Sequence, residues 1–194
     1  MTARSHEIVG IAATEAVCLL TAQKPTYALI ACTGALAGAL LPDFDTPNSR
    51  IGRKLPLLFF PVWLFHAIIS VLSYLPGPLQ KGLNNYSKAT GHRGFSHYPI
   101  TWFIIFAILL PVAKNADAGM TFWMPLLIGM GIGIVSHIVA DMFFGGVPLL
   151  YPFHKARITL SPFKTSGIAE KIVSLVFLIM LIPMTLELFI HNGL

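Results

Sequence analysis

Long apolar stretches, separated by short groups of proline, glycine and charged residues, dominate the hydrophobic pattern of this chain. The approximate stretches are 8–22, 27–41, 55–75, 99–113, 122–149 and 172–188. A helix of about 20 mostly apolar residues crosses the hydrocarbon core of a bilayer, and a helix satisfies its own backbone polar groups there. The pattern therefore predicts an all-α, polytopic membrane protein.

The composition agrees with a membrane class. The chain has 194 residues, of which 55% are hydrophobic and 11% charged, whereas an ordinary soluble domain is about 25% charged. With so few charges the surplus apolar surface must face lipid, so we expect one integral membrane domain over 1–194. The net charge of +5 is spread over loops rather than gathered into a stripe, which argues against a nucleic-acid partner.

The third stretch decides how many segments cross the membrane. Pro56 and Pro61 lie at its start and Pro76 follows it, which favours a re-entrant or interfacial piece. We therefore predict about five spanning helices plus one such segment. With that topology the polar clusters described below, and most basic residues, fall on one side, which the positive-inside rule makes cytoplasmic. If the third stretch spans instead, the clusters are divided between the two sides.

Several ionisable residues lie inside or at the rim of apolar stretches, where each is costly and needs a partner. They are His6, Asp43, Asp45, His92, His97, His137 and Asp141. His137 and Asp141 are four residues apart, so a helix places both side chains on one face. They can bind one ion, or they can hydrogen-bond to each other. Histidine and aspartate are nitrogen and oxygen ligands for divalent metals.

Two loops carry the remaining candidates. Asp43 and Asp45 lie between prolines, and in an extended backbone residues two apart point the same way, although a capping turn would also explain them. His92 and His97 flank Arg93 beside two glycines. This loop can aim both imidazoles at one ion while Arg93 binds a phosphate, or it can face lipid headgroups.

The joint pattern predicts a divalent metal site of one or two ions, with Zn²⁺ as the first choice and Mn²⁺ as the second. We expect Asp45 to orient or deprotonate water, Arg93 to hold phosphate oxygens, and His92 to be a further catalytic candidate. The roles of His154 and Glu170 stay open between a peripheral ligand and a proton shuttle.

The same motifs resemble a known family. The N-terminal His6, Leu-Pro-Asp-Phe-Asp at 41–45, Gly-His-Arg-Gly-Phe-Ser-His at 91–97 and Ser-His-Ile-Val-Ala-Asp at 136–141 are similar to those of the YdjM family. Its members are described as inner-membrane metal-dependent hydrolases of bacteria and archaea, in bacteria often as LexA-regulated, and are thought to be distantly similar to zinc-dependent phospholipase C and P1 nuclease. The resemblance implies His6, Asp43, His97, His137 and Asp141 as the best ligands, with His92 and Asp45 next.

These arguments predict a hydrolase of the inner membrane that cleaves a phosphoester in a membrane lipid or lipid-linked substrate, with its site facing the cytoplasm. The alternative is a transporter of metal ions or protons that uses the same cluster as a transit site. Transport predicts ligands near the bilayer midplane and polar residues that continue to both faces. The candidates here lie on one side, which favours the hydrolase.

Overall fold

The computed structural model describes residues 1–46, 48–74, 80, 95–116, 121–149, 156–161 and 165–191. Its helices within those ranges are α1 (Ala3–Leu20), α2 (Pro25–Gly38), α3 (Arg50–Lys54), α4 (Pro56–Leu72), α5 (Pro99–Ala116), α6 (Trp123–Phe144) and α7 (Ile168–His191). Two short 3-10 helices, Leu41–Asp43 and Phe95–His97, precede α3 and α5. Among the described residues the only β-type pairing is an isolated bridge between Val147 and Ile158.

The all-α, multi-pass class is confirmed, but the number of spans differs from the expectation. Within the described ranges four segments are long and apolar enough to cross a membrane: Pro25–Asp43, Pro99–Ala116, Trp123–Phe144 and Ile168–Ile190. Helix α1 is not among them, and it carries Arg4, Glu7 and Glu15. The third predicted stretch is the shorter apolar helix α4.

Helix α4 runs through the prolines that we expected to interrupt it. Pro56 occupies the first turn, where its missing N–H costs nothing, and the helix continues past Pro61. None of its residues is buried. Its attachment to the bundle includes Trp63, whose Nε1 donates to the carbonyl oxygen of Phe44 at 3.0 Å. Helix α4 therefore lies beside the loop that carries Asp43.

Helices α2 and α6 pack with their backbones almost touching. Each contributes two glycines to the interface, and no side chain fits there. A Cβ atom on Gly38 would lie 2.1 Å from the carbonyl oxygen of Met130, and one on Gly133 would lie 2.4 Å from that of Ala35. Small residues allow such an approach between membrane helices. The contact brings the end of α2 against the middle of α6.

Helix α1 completes the core by packing against α2, α6 and α7. It begins at Ala3, five residues earlier than the apolar pattern predicts, because Thr2 caps it by accepting a hydrogen bond from the Ser5 amide. His6 is therefore in the second turn of a helix and is buried. Helix α6 ends at Phe144, before residue 149, since Gly145 and Gly146 follow it and Gly146 adopts φ +78°.

Candidate metal centre

Five of the seven predicted ligands meet at one end of the helical bundle. They come from the start of α1, the 3-10 helix after α2, the 3-10 helix before α5, and the last two turns of α6, and they are His6, Asp43, His97, His137 and Asp141. His92 and Arg93, and also His154, lie outside the described residues. These described segments converge on one end of the bundle, as the topology of the apolar stretches predicts.

Helix α6 supplies the pair at the centre of this cluster. His137 Nε2 lies 3.8 Å from Asp141 Oδ2 across one helical turn, as the spacing of four residues predicts. Both side chains are buried, with at most 3% of their surface exposed. Burial of an ionised carboxylate in apolar surroundings is costly unless it is paired. The Asp141 oxygens are indeed surrounded by nitrogen atoms.

The two short 3-10 helices bring the remaining donors to this pair. His97 Nε2 lies 3.6 Å from Asp141 Oδ2, 3.3 Å from His137 Nε2 and 3.7 Å from Asp43 Oδ1. Asp43 Oδ1 lies 3.9 Å from His137 Nε2. Asp43 is the accessible member of the group, since 23% of its side chain is exposed while the His97 side chain is fully buried.

These separations fit a tetrahedral ion. Zinc binds histidine nitrogen and carboxylate oxygen at about 2.0–2.2 Å, so the donors of a tetrahedral site lie about 3.3–3.6 Å apart. The distances from His97 Nε2 and His137 Nε2 to each other and to the Asp43 and Asp141 oxygens run from 3.3 to 3.9 Å. The arrangement needs only a small contraction to surround one ion. Two nitrogens and two oxygens without thiolate suit Zn²⁺ and Mn²⁺.

The orientation of His137 is fixed by the backbone. Its Nδ1 lies 2.7 Å from the carbonyl oxygen of Ala39, just after α2. A carbonyl can only accept, so Nδ1 carries the proton and Nε2 presents its lone pair to the cluster. Such an outer hydrogen bond is usual for a histidine that binds metal. The glycine contact between α2 and α6 is what brings the two groups within reach.

Asp45 has a different place from the one that its spacing from Asp43 suggested. Its Oδ2 accepts a hydrogen bond from Ser96 Oγ at 2.7 Å, and Ser96 Oγ lies 3.1 Å from His97 Nδ1. Because Ser96 gives its proton to the carboxylate, it accepts one from Nδ1, so the Nε2 lone pair of His97 faces the cluster. Burial raises the pKa of Asp45, and the hydrogen bond from Ser96 partly opposes this shift. The contacts suit a residue that positions His97.

His6 contacts the cluster from the opposite side of Asp141, through Oδ1 rather than Oδ2. Its ring stacks on His137 with centroids 3.7 Å apart, and its Nε2 lies 3.3 Å from Asp141 Oδ1. The same oxygen accepts from the Met1 amino group at 2.7 Å. His6 Nδ1 is buried and has no hydrogen-bond partner among the residues that the structure describes. Within the described residues two donor triads share His137, namely His6–His137–Asp141 and Asp43–His97–His137, so the geometry accommodates one ion or two.

Glu170 belongs to neither triad and instead joins α7 to the start of α1 through hydrogen bonds. It lies in the first turn of α7 and accepts hydrogen bonds from the Thr2 amide at 2.6 Å, Ser5 Oγ at 2.7 Å and the Ser166 amide at 2.7 Å. These bonds hold the start of α1, and therefore His6, against α7. A buried carboxylate with several donors needs no metal to be satisfied.

An arginine-lined cavity beside Asp43 was not anticipated from the sequence. It has a volume of about 530 Å³, and its polar walls include Arg4, Arg50, Arg53 and Ser49 as well as Asp43. In the sequence, these arginines indicate only the orientation of the chain in the membrane. The available signal was the pair Arg50 and Arg53, which closely follows the Leu-Pro-Asp-Phe-Asp motif.

Comparison with known proteins identifies the family. The family model described as YdjM inner membrane protein matches residues 1–193. The chain belongs to the YdjM family. It is therefore a member of a family of multi-pass inner membrane proteins, as the sequence motifs predicted.

Two relatives of this YdjM-family chain match it over most of its length. The inner membrane protein YdjM of Escherichia coli is 29% identical over 161 residues, which cover 78% of this chain and 66% of the relative. YvsG of Bacillus subtilis, described as uncharacterized, is 30% identical over 178 residues, 89% of this chain and 87% of the relative. The chain thus spans just under two thirds of the Escherichia coli relative. No solved structure matches it, so the similarity to phospholipase C and P1 nuclease stays a prediction.

Proposed function

We propose that this protein is a metal-dependent hydrolase of the inner membrane that cleaves a phosphoester in a lipid or lipid-linked substrate. One observation carries the proposal: four buried or half-buried donors from three separate segments meet at the separations of a tetrahedral ion. Two unprotonated imidazole Nε2 atoms 3.3 Å apart repel each other unless a cation lies between them. Each Nδ1 is already occupied, so both lone pairs point at a shared space.

The residues of the chain have separate roles in this mechanism. Asp43, His97, His137 and Asp141 would hold the ion. A bound divalent ion lowers the pKa of water to near neutrality and so supplies a nucleophile for phosphoester hydrolysis. Ala39 and the Asp45–Ser96 pair orient the two histidines. Asp43 lies on the accessible side of the cluster, and a substrate would approach from there.

An apolar groove supports a lipid substrate. It has a volume of about 970 Å³, within the range of ligand sites, and is walled by α1, α5, α6 and α7. On α1 it follows Val9, Ala13 and Val17, one residue per turn. Its other end reaches Ala140, which precedes Asp141 in the chain. An acyl chain in this groove would place a headgroup beside the metal cluster.

The charge distribution supports a site that faces the cytoplasm. The cluster end of the bundle carries Arg4, Arg50, Arg53, Lys54 and Lys171, and the described lysines at the other end are Lys24 and Lys114. Basic residues concentrate on the cytoplasmic side of inner membrane proteins. A phosphoester in the inner leaflet would then lie at the height of the cluster.

Metal content of the detergent-purified protein tests this proposal. We compare wild type with His137→Gln and Asp43→Asn, and with His66→Gln on α4 as a control outside the cluster. We expect stoichiometric zinc or manganese in wild type and His66→Gln, and loss of metal in the other two. Phosphatidic acid and lipid-linked pyrophosphates are then offered in mixed micelles.

Two outcomes would overturn the proposal. The first is wild-type protein that unfolds cooperatively but contains no metal after supplementation with zinc and manganese. The cluster would then be a set of structural hydrogen bonds. Bound metal without phosphoester cleavage, together with zinc entry into proteoliposomes that His137→Gln abolishes, would favour the transporter.

A further inference from the structure

We propose that the cavity lined by Arg4, Arg50 and Arg53 binds the phosphoryl group of the substrate next to the metal cluster. This inference rests on the proposed hydrolase function and assigns a binding site for the group that is cleaved. The cavity of about 530 Å³ has Asp43 in its wall. Asp43 is also the exposed donor of the cluster. One side chain thus joins the cavity to the metal centre.

The cavity walls have the chemistry of an anion site. Three guanidinium groups line it, together with Ser49, Asn48 and Thr2. Arginine matches phosphate well because its planar group offers five N–H donors and can bind two oxygens at once. The one acidic residue in the lining, Asp43, would be neutralised when a metal is bound.

Two of the arginines have contacts that position them without using all their donors. Arg50 forms a salt bridge to Glu7 of α1, which ties α3 to the helix that carries His6. Arg53 donates through Nη1 to the carbonyl oxygen of Asn48 at 2.9 Å. One such bond leaves most of the guanidinium donors of Arg53 available. Arg4 and Arg53 are exposed, so a ligand can reach them from water.

The position of Asp43 makes metal and phosphate binding interdependent. Without metal, the Asp43 carboxylate repels an anion in the cavity. With metal, its charge is offset and the ion adds positive charge at the same wall, so phosphate affinity should rise. By thermodynamic linkage, phosphate must then raise the affinity for metal by the same factor. Independent surface arginines would not show this coupling.

The test measures binding of radiolabelled inorganic phosphate to the zinc-loaded, full-length protein in detergent. The variant Arg4→Gln/Arg53→Gln removes two exposed charges from the cavity, and Lys24→Gln/Lys114→Gln removes two at the opposite end. We expect at least a tenfold loss of phosphate affinity in the first variant, little change in the second, and wild-type metal content in both. Arg53→Lys should bind with intermediate affinity because it keeps the charge but loses the bidentate geometry.

A second arm distinguishes the source of the phosphate. Phosphatidic acid in mixed micelles and glycerol 3-phosphate in solution each compete with the radiolabel. Stronger competition by the micelles identifies a lipid headgroup, and stronger competition by glycerol 3-phosphate identifies a soluble ester. Either result supports phosphate binding in the cavity if the competition is weaker in Arg4→Gln/Arg53→Gln.

Failure of this inference is separable from failure of the hydrolase proposal. Metal-loaded wild type that binds no phosphate, or equal binding by wild type and Arg4→Gln/Arg53→Gln, overturns the cavity assignment while the metal site stands. Loss of phosphate binding in the lysine control would also overturn it, since only net charge would then matter. Metal-free wild type would instead overturn the proposed function itself.

Discussion

His137 Nδ1 lies 2.7 Å from the carbonyl oxygen of Ala39, so a residue near the C-terminal end of α6 is oriented by the residue that follows α2. The bond depends on glycines that let α2 and α6 touch. A Cβ on Gly133 would lie 2.4 Å from the Ala35 carbonyl oxygen, whereas one on Gly131 meets nothing closer than Phe106 at 3.5 Å. Two alanine substitutions two residues apart on the same helix should therefore behave differently.

We expect Gly133→Ala to lower the free energy of unfolding by about 1–3 kcal/mol, as overpacking does, and to weaken metal binding because α6 is pushed away from Ala39. Gly131→Ala should leave both unchanged. Thermal denaturation and metal titration of the two variants check this. Equal behaviour of the two would mean that the helix contact does not position His137.

Ser96→Ala should weaken metal binding without emptying the site. The substitution removes the hydroxyl that links Asp45 to His97 and keeps every donor of the cluster. Outer hydrogen bonds of this kind are worth about 10–100-fold in metal affinity. Titration with a zinc indicator should show a higher Kd and full occupancy at saturating zinc. An unchanged Kd would show that packing alone orients His97.

Glu170→Gln should destabilise the fold more than it affects the metal. The neutral amide keeps the shape but replaces the charge-assisted bonds to Thr2, Ser5 and Ser166, and we expect a loss of about 1–3 kcal/mol in the free energy of unfolding. Glu187→Gln, on an exposed part of α7, is the control. If the variant loses metal but has the thermal stability of wild type, Glu170 instead contributes to metal binding.

Gly131→Leu should lower activity on substrates with long acyl chains more than activity on short, soluble substrates. Gly131 lines the apolar groove, and a Cβ added to it would lie 3.5 Å from Phe106, so a leucine there fills space that an acyl chain would occupy. For the lipid phosphoester that wild type cleaves, we expect a kcat/KM at least tenfold lower. For a soluble short-chain phosphoester it should be nearly unchanged. An equal loss on both substrates would place the effect at the metal cluster.

Much of the metal cluster follows from sequence because its parts obey simple periodicity. His137 and Asp141 share a helical face at a spacing of four. The crossings of α5 and α6 return that pair to the rim of Asp43 and His97 when the third stretch makes no net crossing. The role of Asp45 does not follow, since its partner Ser96 is 51 residues away. Residue spacing carries no information about such a contact.

The helical class follows from the apolar stretches, whereas the details of the termini and spans do not. Thr2 extends α1 by capping it, whereas the apolar pattern predicts a start at residue 8. Pro61 is accommodated inside α4, whereas the proline rules predict an interruption there. The arginine cavity was missed because Arg4 and Arg53 meet only through tertiary structure.

The unequal exposure of the donors has a kinetic consequence. His6, His97, His137 and Asp141 have side chains at most 3% exposed, and Asp43 has 23%. An ion can therefore enter and leave past Asp43 alone among these five, so this carboxylate would set the exchange rate as well as contribute affinity. Chelators would strip the protein slowly, and the half-life of its metal would shorten when Asp43 is replaced, even by a residue that still binds.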